Sequence, residues 1–162
     1  MDTELRIEGA EELDAKLQLL GEKFATSALY GALFDAAKPI ADEIKRNAPK
    51  ADQPYYRYWK GKRGGGRSRK EVKGGTLRRS VTRKRLKNLD VAAVTVSIKS
   101  KAFYWLFIEK GTPDHAAKPF MRPAFDRKHA ESQNIFADKL RKRIEKIAAK
   151  QNIDLGAEDG EG

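Results

Sequence analysis

The 162-residue sequence contains no cysteine and only two histidines, His115 and His129. Without cysteine the chain has no disulfide, no thiolate nucleophile and no thiolate-bound zinc or iron–sulfur cluster. The spaced motifs of phosphate-binding loops and dinucleotide-binding folds are also missing, although three consecutive glycines occur at 64–66. A cluster of Glu109, Asp114 and His115 has a single histidine and is more simply a set of turn residues. We therefore expect no catalytic, cofactor-binding or metal-ligating residue, and we expect that the protein is not an enzyme.

Long apolar segments are scarce as well. The longest, residues 102–108, is far shorter than the roughly 20 residues that a membrane-spanning helix needs. No hydrophobic segment near the N-terminus resembles a secretory signal. We expect a protein that is neither secreted nor embedded in a membrane.

Charge is plentiful but unevenly distributed, with a formal net charge of +11. Residues 49–87 carry 15 basic and 2 acidic side chains, a net charge of +13, whereas residues 1–48 carry 6 basic and 10 acidic side chains, a net charge of −4. Such a basic stretch attracts nucleic acid, an anionic surface or an acidic protein partner, and it does not determine the fold.

Apolar periodicity predicts three helices. Leucines at 13, 17 and 20 and Phe24 form one face of a helix over residues 9–24, and a second helix follows over residues 26–47. A last helix is predicted from Pro123 to about Lys150, because proline is tolerated in a first turn. Two strands, residues 76–87 and 91–99, are predicted to form a hairpin. Residues 102–109 are apolar and fit either a third strand or a short buried helix. The predicted fold class is α+β: two N-terminal helices, a small antiparallel sheet and a long C-terminal helix.

Residues 49–75 have no helical or strand period, and a loop of this length is usually functional or disordered. We interpret it as an extended basic arm inserted between the second helix and the sheet of a single domain, residues 1–151. An acidic tail, residues 152–162, is expected to be disordered.

The arm interleaves aromatic and basic side chains, which supports three interpretations. Tyrosine, tryptophan and arginine are common anchors of protein interfaces, which we take as the first interpretation. The aromatic residues could instead pack back onto the domain, or stack on bases while the cations neutralise phosphates. The candidate partner-binding residues are Tyr55, Tyr56, Arg57, Tyr58, Trp59, Lys60, Arg63, Arg67, Arg69 and Lys70.

Four islands of sequence follow one another along the chain: residues 7–9, the helix end at 36–49, the segment 75–81, and Glu109-Lys110-Gly111-Thr112 followed by Pro119-Phe120-Met121-Arg122-Pro123-Ala124. In this order they resemble the tail-completion family of long-tailed double-stranded DNA bacteriophages, also described as head–tail joining, neck or phage tail-component proteins. The fourth island is the most specific to that family. The arm is longer and more basic than is typical of the family.

The resemblance implies a structural virion protein that forms a ring, typically a hexamer, at the head–tail junction and joins or completes the tail. Its partners would be further copies of itself, the head connector or adaptor, and the tail tube or tail terminator, with contact to packaged DNA left open. It would assemble in the host cytoplasm and then reside in the virion. The alternative is a sequence-independent nucleic-acid-binding protein that uses the arm and the basic strand. We take the following residues as a structural signature, with an ion pair expected between Glu109 and Arg122: Pro49, Leu77, Ser80, Glu109, Gly111, Thr112, Pro119, Phe120, Arg122, Pro123 and Ala124.

Overall fold

A computed structural model describes residues 9–50, 55–60, 67–72, 74–86 and 91–153. Within these residues the chain forms five α-helices, four β-strands and one short 3-10 turn. In chain order the elements are α1 (Ala10–Leu20), α2 (Glu22–Asn47), β1 (Tyr55–Lys60), β2 (Arg67–Val72), α3 (Thr76–Ser80), β3 (Val81–Leu86), β4 (Ala93–Ile98), the 3-10 turn (Ser100–Ala102), α4 (Trp105–Lys110) and α5 (Met121–Gln151).

The α+β class is confirmed: two helices lead the chain, strands follow, and a long helix ends the described part. The arm, however, contains regular structure that the sequence did not predict. Strands β1 and β2 pair antiparallel, with Tyr55 opposite Val72 and Lys60 opposite Arg67. Strands β3 and β4 form a second two-stranded sheet. The predicted tail from 154 onward lies outside the described residues.

The first predicted strand, residues 76–87, is wrong in its first half, because Thr76 to Ser80 form helix α3. Gly75 precedes this helix with a φ of 87°, a left-handed conformation that glycine adopts without a Cβ penalty. The Ser80 hydroxyl donates a 2.6 Å hydrogen bond to the Thr76 carbonyl oxygen one turn earlier. Five residues are too few to show a helical period, so the sequence pattern could not reveal this helix.

Residues 102–109 form neither a strand nor a buried helix. Ala102 ends the 3-10 turn and is fully buried, but the segment then becomes helix α4, in which no residue is buried. Tyr104, Trp105 and Ile108 are half-buried and Phe103, Leu106 and Phe107 are exposed, so burial within the chain explains only part of the apolar composition of this segment.

The chain divides into two compact units. Unit 1 comprises residues 1–40, 83–95 and 128–162, and unit 2 comprises residues 41–82 and 96–127. In unit 1, parts of α1, α2 and α5 contribute the buried core, with small alanines at closely packed positions. The buried members of that core are Leu13, Leu20, Ala28, Ala32, Leu140, Ile144 and Ala148.

Helix α5 ends in an ordered cap at the start of the predicted tail. Asn152 has a φ of 52°, and the Ile153 N–H donates to the Ala148 carbonyl oxygen at 3.0 Å. Ile153 also packs against the unit 1 core. This left-handed residue followed by a six-to-one hydrogen bond and an apolar contact is the Schellman ending of a helix.

Candidate functional site

The signature segment of unit 2 places a carboxylate at the start of α5. Glu109, near the end of α4, accepts backbone N–H groups from Phe120 at 2.7 Å, Met121 at 3.1 Å and Arg122 at 3.2 Å. The next residue, Pro123, has no N–H to satisfy. One side chain therefore satisfies every unpaired N–H of the first turn, where the helix dipole also favours negative charge.

This arrangement corrects the expected ion pair. Glu109 contacts the backbone N–H of Arg122 rather than its guanidinium group. Phe120 is buried, as its place between the two helices requires, and so is Ala124. Phe125, in the first turns of α5, is exposed.

Gly111 is required by the turn between α4 and α5. Its φ is 78°, and a Cβ at this position would lie 2.8 Å from the Ala117 nitrogen and 2.9 Å from the His115 carbonyl oxygen. Thr112 and His115 then exchange two backbone hydrogen bonds, at 2.9 and 3.1 Å, around Pro113 and Asp114. Thr112 and Pro119 are exposed, so they shape this turn from the surface. In this part of the chain, the signature residues therefore stabilise the turn between α4 and α5 and the start of α5.

The remaining signature residues surround α3. Leu77 and Ser80 are buried, and the Ser80 carbonyl oxygen accepts the Lys99 N–H at 2.9 Å. Arg78 Nε donates to the Ala48 carbonyl oxygen at 2.7 Å, which satisfies a carbonyl just beyond the end of α2. Pro49 follows as an exposed residue.

Helix α4 and Phe103, two residues before it, expose aromatic and aliphatic side chains. Phe103 is 66% exposed, Phe107 55% and Leu106 40%. We call these three residues the α4 surface. Monomeric proteins seldom expose large apolar side chains in such a short stretch unless the surface binds a partner.

A groove lies beside this surface, within unit 2. It has a volume of about 570 Å³. Phe107 and Ile108 of α4 form one wall of the groove. The turn after α4 forms another wall through some of residues 112–116, and Lys118 adds a cationic side chain. Its lining residues are Pro49, Phe107, Ile108, Thr112, Asp114, His115, Ala116 and Lys118. Sequence reasoning missed this site, because it assumed that the apolar run was buried.

The hairpin β1–β2 carries nine of the ten candidate residues of the arm, and Arg63 lies outside the described residues. Tyr56 is exposed, and the Arg69 guanidinium carbon lies 4.9 Å from the centre of its ring. That distance allows a cation–π contact. The structure thus brings one predicted aromatic residue and one predicted cation together at the surface.

Several cations of the basic stretch bind the protein itself. Arg79 Nη1 donates to the Gly74 carbonyl oxygen at 3.1 Å. In unit 1, Arg83 donates to the Phe34 carbonyl oxygen, and its guanidinium carbon lies 4.2 Å from the Phe34 ring centre. Arg85 lies 5.7 Å from the same ring. Only part of the charge is therefore directed to solvent.

The described residues contain no group of three His, Asp or Glu side chains that could hold a metal ion. Within the same residues, no helix combines the length and the apolar character that crossing a membrane requires.

The comparison with protein families connects this geometry to a known group. The model of the family described as "Bacteriophage HK97-gp10, putative tail-component" matches residues 11–111, more than half of the chain. The chain belongs to this family. The resemblance drawn from the sequence islands is confirmed, and the protein is a bacteriophage tail component. Neither curated proteins nor solved structures gave a match at the required significance.

The family model covers most of the elements described above. It begins in α1, contains the hairpin, and ends at Gly111, so the α4 surface and Glu109 lie inside it. The proline–phenylalanine part of the signature, residues 119–124, lies beyond its end.

Proposed function

We propose that this tail component forms a ring, a hexamer in the virion, at the head–tail junction and joins or completes the tail during assembly. Its neighbours are further copies of the chain, the head connector or adaptor, and the tail tube or tail terminator. It assembles in the host cytoplasm and acts through association rather than catalysis. Membership in a family of phage tail components supports the virion location in general.

The observation that carries the proposal is the α4 surface. Phe103, Leu106 and Phe107 are large apolar residues that are exposed within one short stretch of chain. Exposing these three side chains costs free energy in an isolated chain, since each fully buried side chain of this kind contributes about 1.5–3 kcal/mol. Association with a neighbouring protein would recover that contribution, as expected for a protein that functions inside an assembly.

The hairpin offers a second, basic contact region. Both of its strands have an unpaired edge within the described residues, because β1 pairs with β2 alone. An isolated two-stranded hairpin is marginally stable in water, and pairing or packing against a neighbour stabilises it. A basic, aromatic hairpin of this kind suits an acidic protein surface on an adjacent subunit.

The nucleic-acid-binding alternative is less well supported by the contacts. Arg78, Arg79 and Arg83 donate to backbone carbonyl oxygens of the protein, which leaves fewer donors for phosphates. The two functions differ in their response to salt, because phosphate binding weakens log-linearly with ionic strength. Steep salt dependence of binding to random-sequence DNA would favour this alternative.

The test is complementation of a phage that lacks this protein. Replacement of Phe103 and Phe107 by serine should yield a folded chain that fails to produce joined, infectious particles, with separate heads and tails in electron micrographs. Val91→Ser is the matched control, because Val91 is also exposed and apolar but lies in unit 1. Normal particle yield from the Phe103/Phe107 variant would refute the proposed role of the α4 surface.

A further inference from the structure

A second exposed apolar site lies at the turn between α1 and α2. Leu19 is 56% exposed and Phe24 is 38% exposed, on either side of Gly21. We call these two residues the α1–α2 corner. The sequence pattern assigned Phe24 to the apolar face of the first helix. That assignment is wrong, because α1 ends at Leu20 and Phe24 belongs to the exposed first turns of α2.

The α1–α2 corner and the α4 surface have opposite charge. Residues 10–24 contain four acidic and two basic side chains, a net charge of −2. Residues 99–118 contain four lysines and two acidic side chains, a net charge of +2. One of those two acidic groups, Glu109, is already engaged with three backbone N–H groups. The lysines at 99, 101, 110 and 118 are exposed.

We infer that the groove and α4 surface of one copy bind the α1–α2 corner of the next copy, head to tail. This inference rests on the proposed ring. In a twofold contact, two α4 surfaces would face each other and bring two positive net charges together, which is unfavourable. Two α1–α2 corners would likewise bring two negative net charges together. When the α4 surface of one copy contacts the α1–α2 corner of another, apolar side chains meet apolar side chains and basic residues meet acidic residues. Such a contact uses a different surface on each partner, so it repeats from copy to copy and generates a ring when the rotation between copies closes.

The groove is suited to a protruding side chain such as Phe24 or Leu19. Its volume of about 570 Å³ exceeds the space of one aromatic ring, and Phe107 and Ile108 provide apolar walls. Lys118 in its lining can pair with the acidic side of the corner, where Glu22 is exposed two positions before Phe24. A second copy of the chain is therefore the occupant to which we commit.

The test uses two full-length variants in one mixing experiment. The corner variant is Leu19→Ser with Phe24→Ser, and the groove variant is Phe103→Ser with Phe107→Ser. All four residues are exposed, so folding should be unaffected, as thermal melting checks. Wild type and Val91→Ser should self-associate in sedimentation velocity, and each double variant should weaken association about thirtyfold or more. An equimolar mixture of the two variants should form a discrete heterodimer, since one intact contact remains.

Four outcomes would overturn the inference: a mixture that stays monomeric, a corner variant that assembles normally, a groove variant that assembles normally, or a wild type that is monomeric at the highest attainable concentration. A cysteine pair adds an independent reading, because the natural chain has no cysteine. Leu19→Cys protein mixed with Phe107→Cys protein should form an oxidised dimer, which Leu19→Cys mixed with Val91→Cys should not form.

Particle analysis separates this inference from the proposed function. If the groove variant self-associates normally but is missing from particles, the α4 surface binds another virion protein and only the inference fails. If wild-type protein is itself missing from purified particles, the proposed function fails.

Discussion

The carboxylate of Glu109 accepts the backbone N–H of Phe120 at 2.7 Å and thereby joins the end of α4 to the start of α5. Eleven residues separate the two groups, and the turn built on Gly111 brings them together. Because the helix containing Glu109 also presents the α4 surface, the position of that surface depends on this contact.

Replacing Glu109 by alanine should destabilise the protein by about 1–2 kcal/mol, the usual cost of losing a capping side chain. Glu109→Gln should cost less than Glu109→Ala, because its amide oxygen still accepts a hydrogen bond. Some cost should remain, because the negative charge at the start of the helix is lost. Urea denaturation provides the measurement. The control is Glu145→Ala on the exposed face of α5, which should change stability by less than about 0.5 kcal/mol. Equal effects at positions 109 and 145 would contradict the capping role.

Replacing Gly111 by alanine should cost more than replacing Gly21. Both glycines have nearly the same φ, 78° and 75°, so both substitutions carry backbone strain of about 1–3 kcal/mol. A Cβ on Gly111 additionally approaches the backbone at 2.8 Å, whereas nothing lies within 4 Å of one on Gly21. Urea denaturation of both variants gives two losses in unfolding free energy, and the difference between them measures the cost of the close approach at Gly111. A larger loss for Gly21→Ala would argue against it.

The long helices could be predicted from sequence because their burial follows a 3.6-residue period. Leu13 and Leu20 are buried as expected, and Leu17 packs against them. Prediction failed where an element is too short for a period or has large side chains on both faces. Helix α3 has only five residues, which is too few to show a helical period. Strand β1 has large side chains at adjacent positions, so it shows no alternation of apolar and polar residues.

The α4 surface was missed for a different physical reason. Sequence reports how apolar a segment is but not whether its own chain covers it, and an interface helix has the composition of a core helix. The signature residues were recognised from the family resemblance, and the contacts that explain them are local in sequence. Gly111 and Glu109 act within about a dozen residues, whereas exposure of Phe103 depends on the whole tertiary structure.

Arg83 and Phe34 should be energetically coupled. The guanidinium stacks on the ring, and it also donates to the Phe34 carbonyl oxygen. Arg83→Lys keeps the charge but loses the planar stack, and Phe34→Leu removes the ring. A double-mutant cycle should give a coupling free energy of about 0.5–1 kcal/mol. The control is Lys84→Ala combined with Phe34→Leu, because Lys84 is the exposed residue next to Arg83 in sequence. Zero coupling would contradict the cation–π contact, since Phe34→Leu leaves the carbonyl oxygen that Arg83 also contacts in place.

The hairpin aromatic residues should be needed for assembly but not for folding. Replacing Tyr56, Tyr58 and Trp59 by alanine should leave the melting curve of the purified protein unchanged and prevent its incorporation into necks or tails. Unchanged melting together with normal particle yield would remove the hairpin from assembly. A collapsed melting curve would show instead that these residues belong to the core.

The most direct measurement is cryo-electron microscopy of intact particles, reconstructed at the head–tail junction. The account predicts six copies of this chain in a closed ring, with the α4 surface of each copy covered by a neighbour. Density that places the chain elsewhere in the virion, or that leaves Phe103 and Phe107 exposed to solvent in the assembled particle, would contradict it.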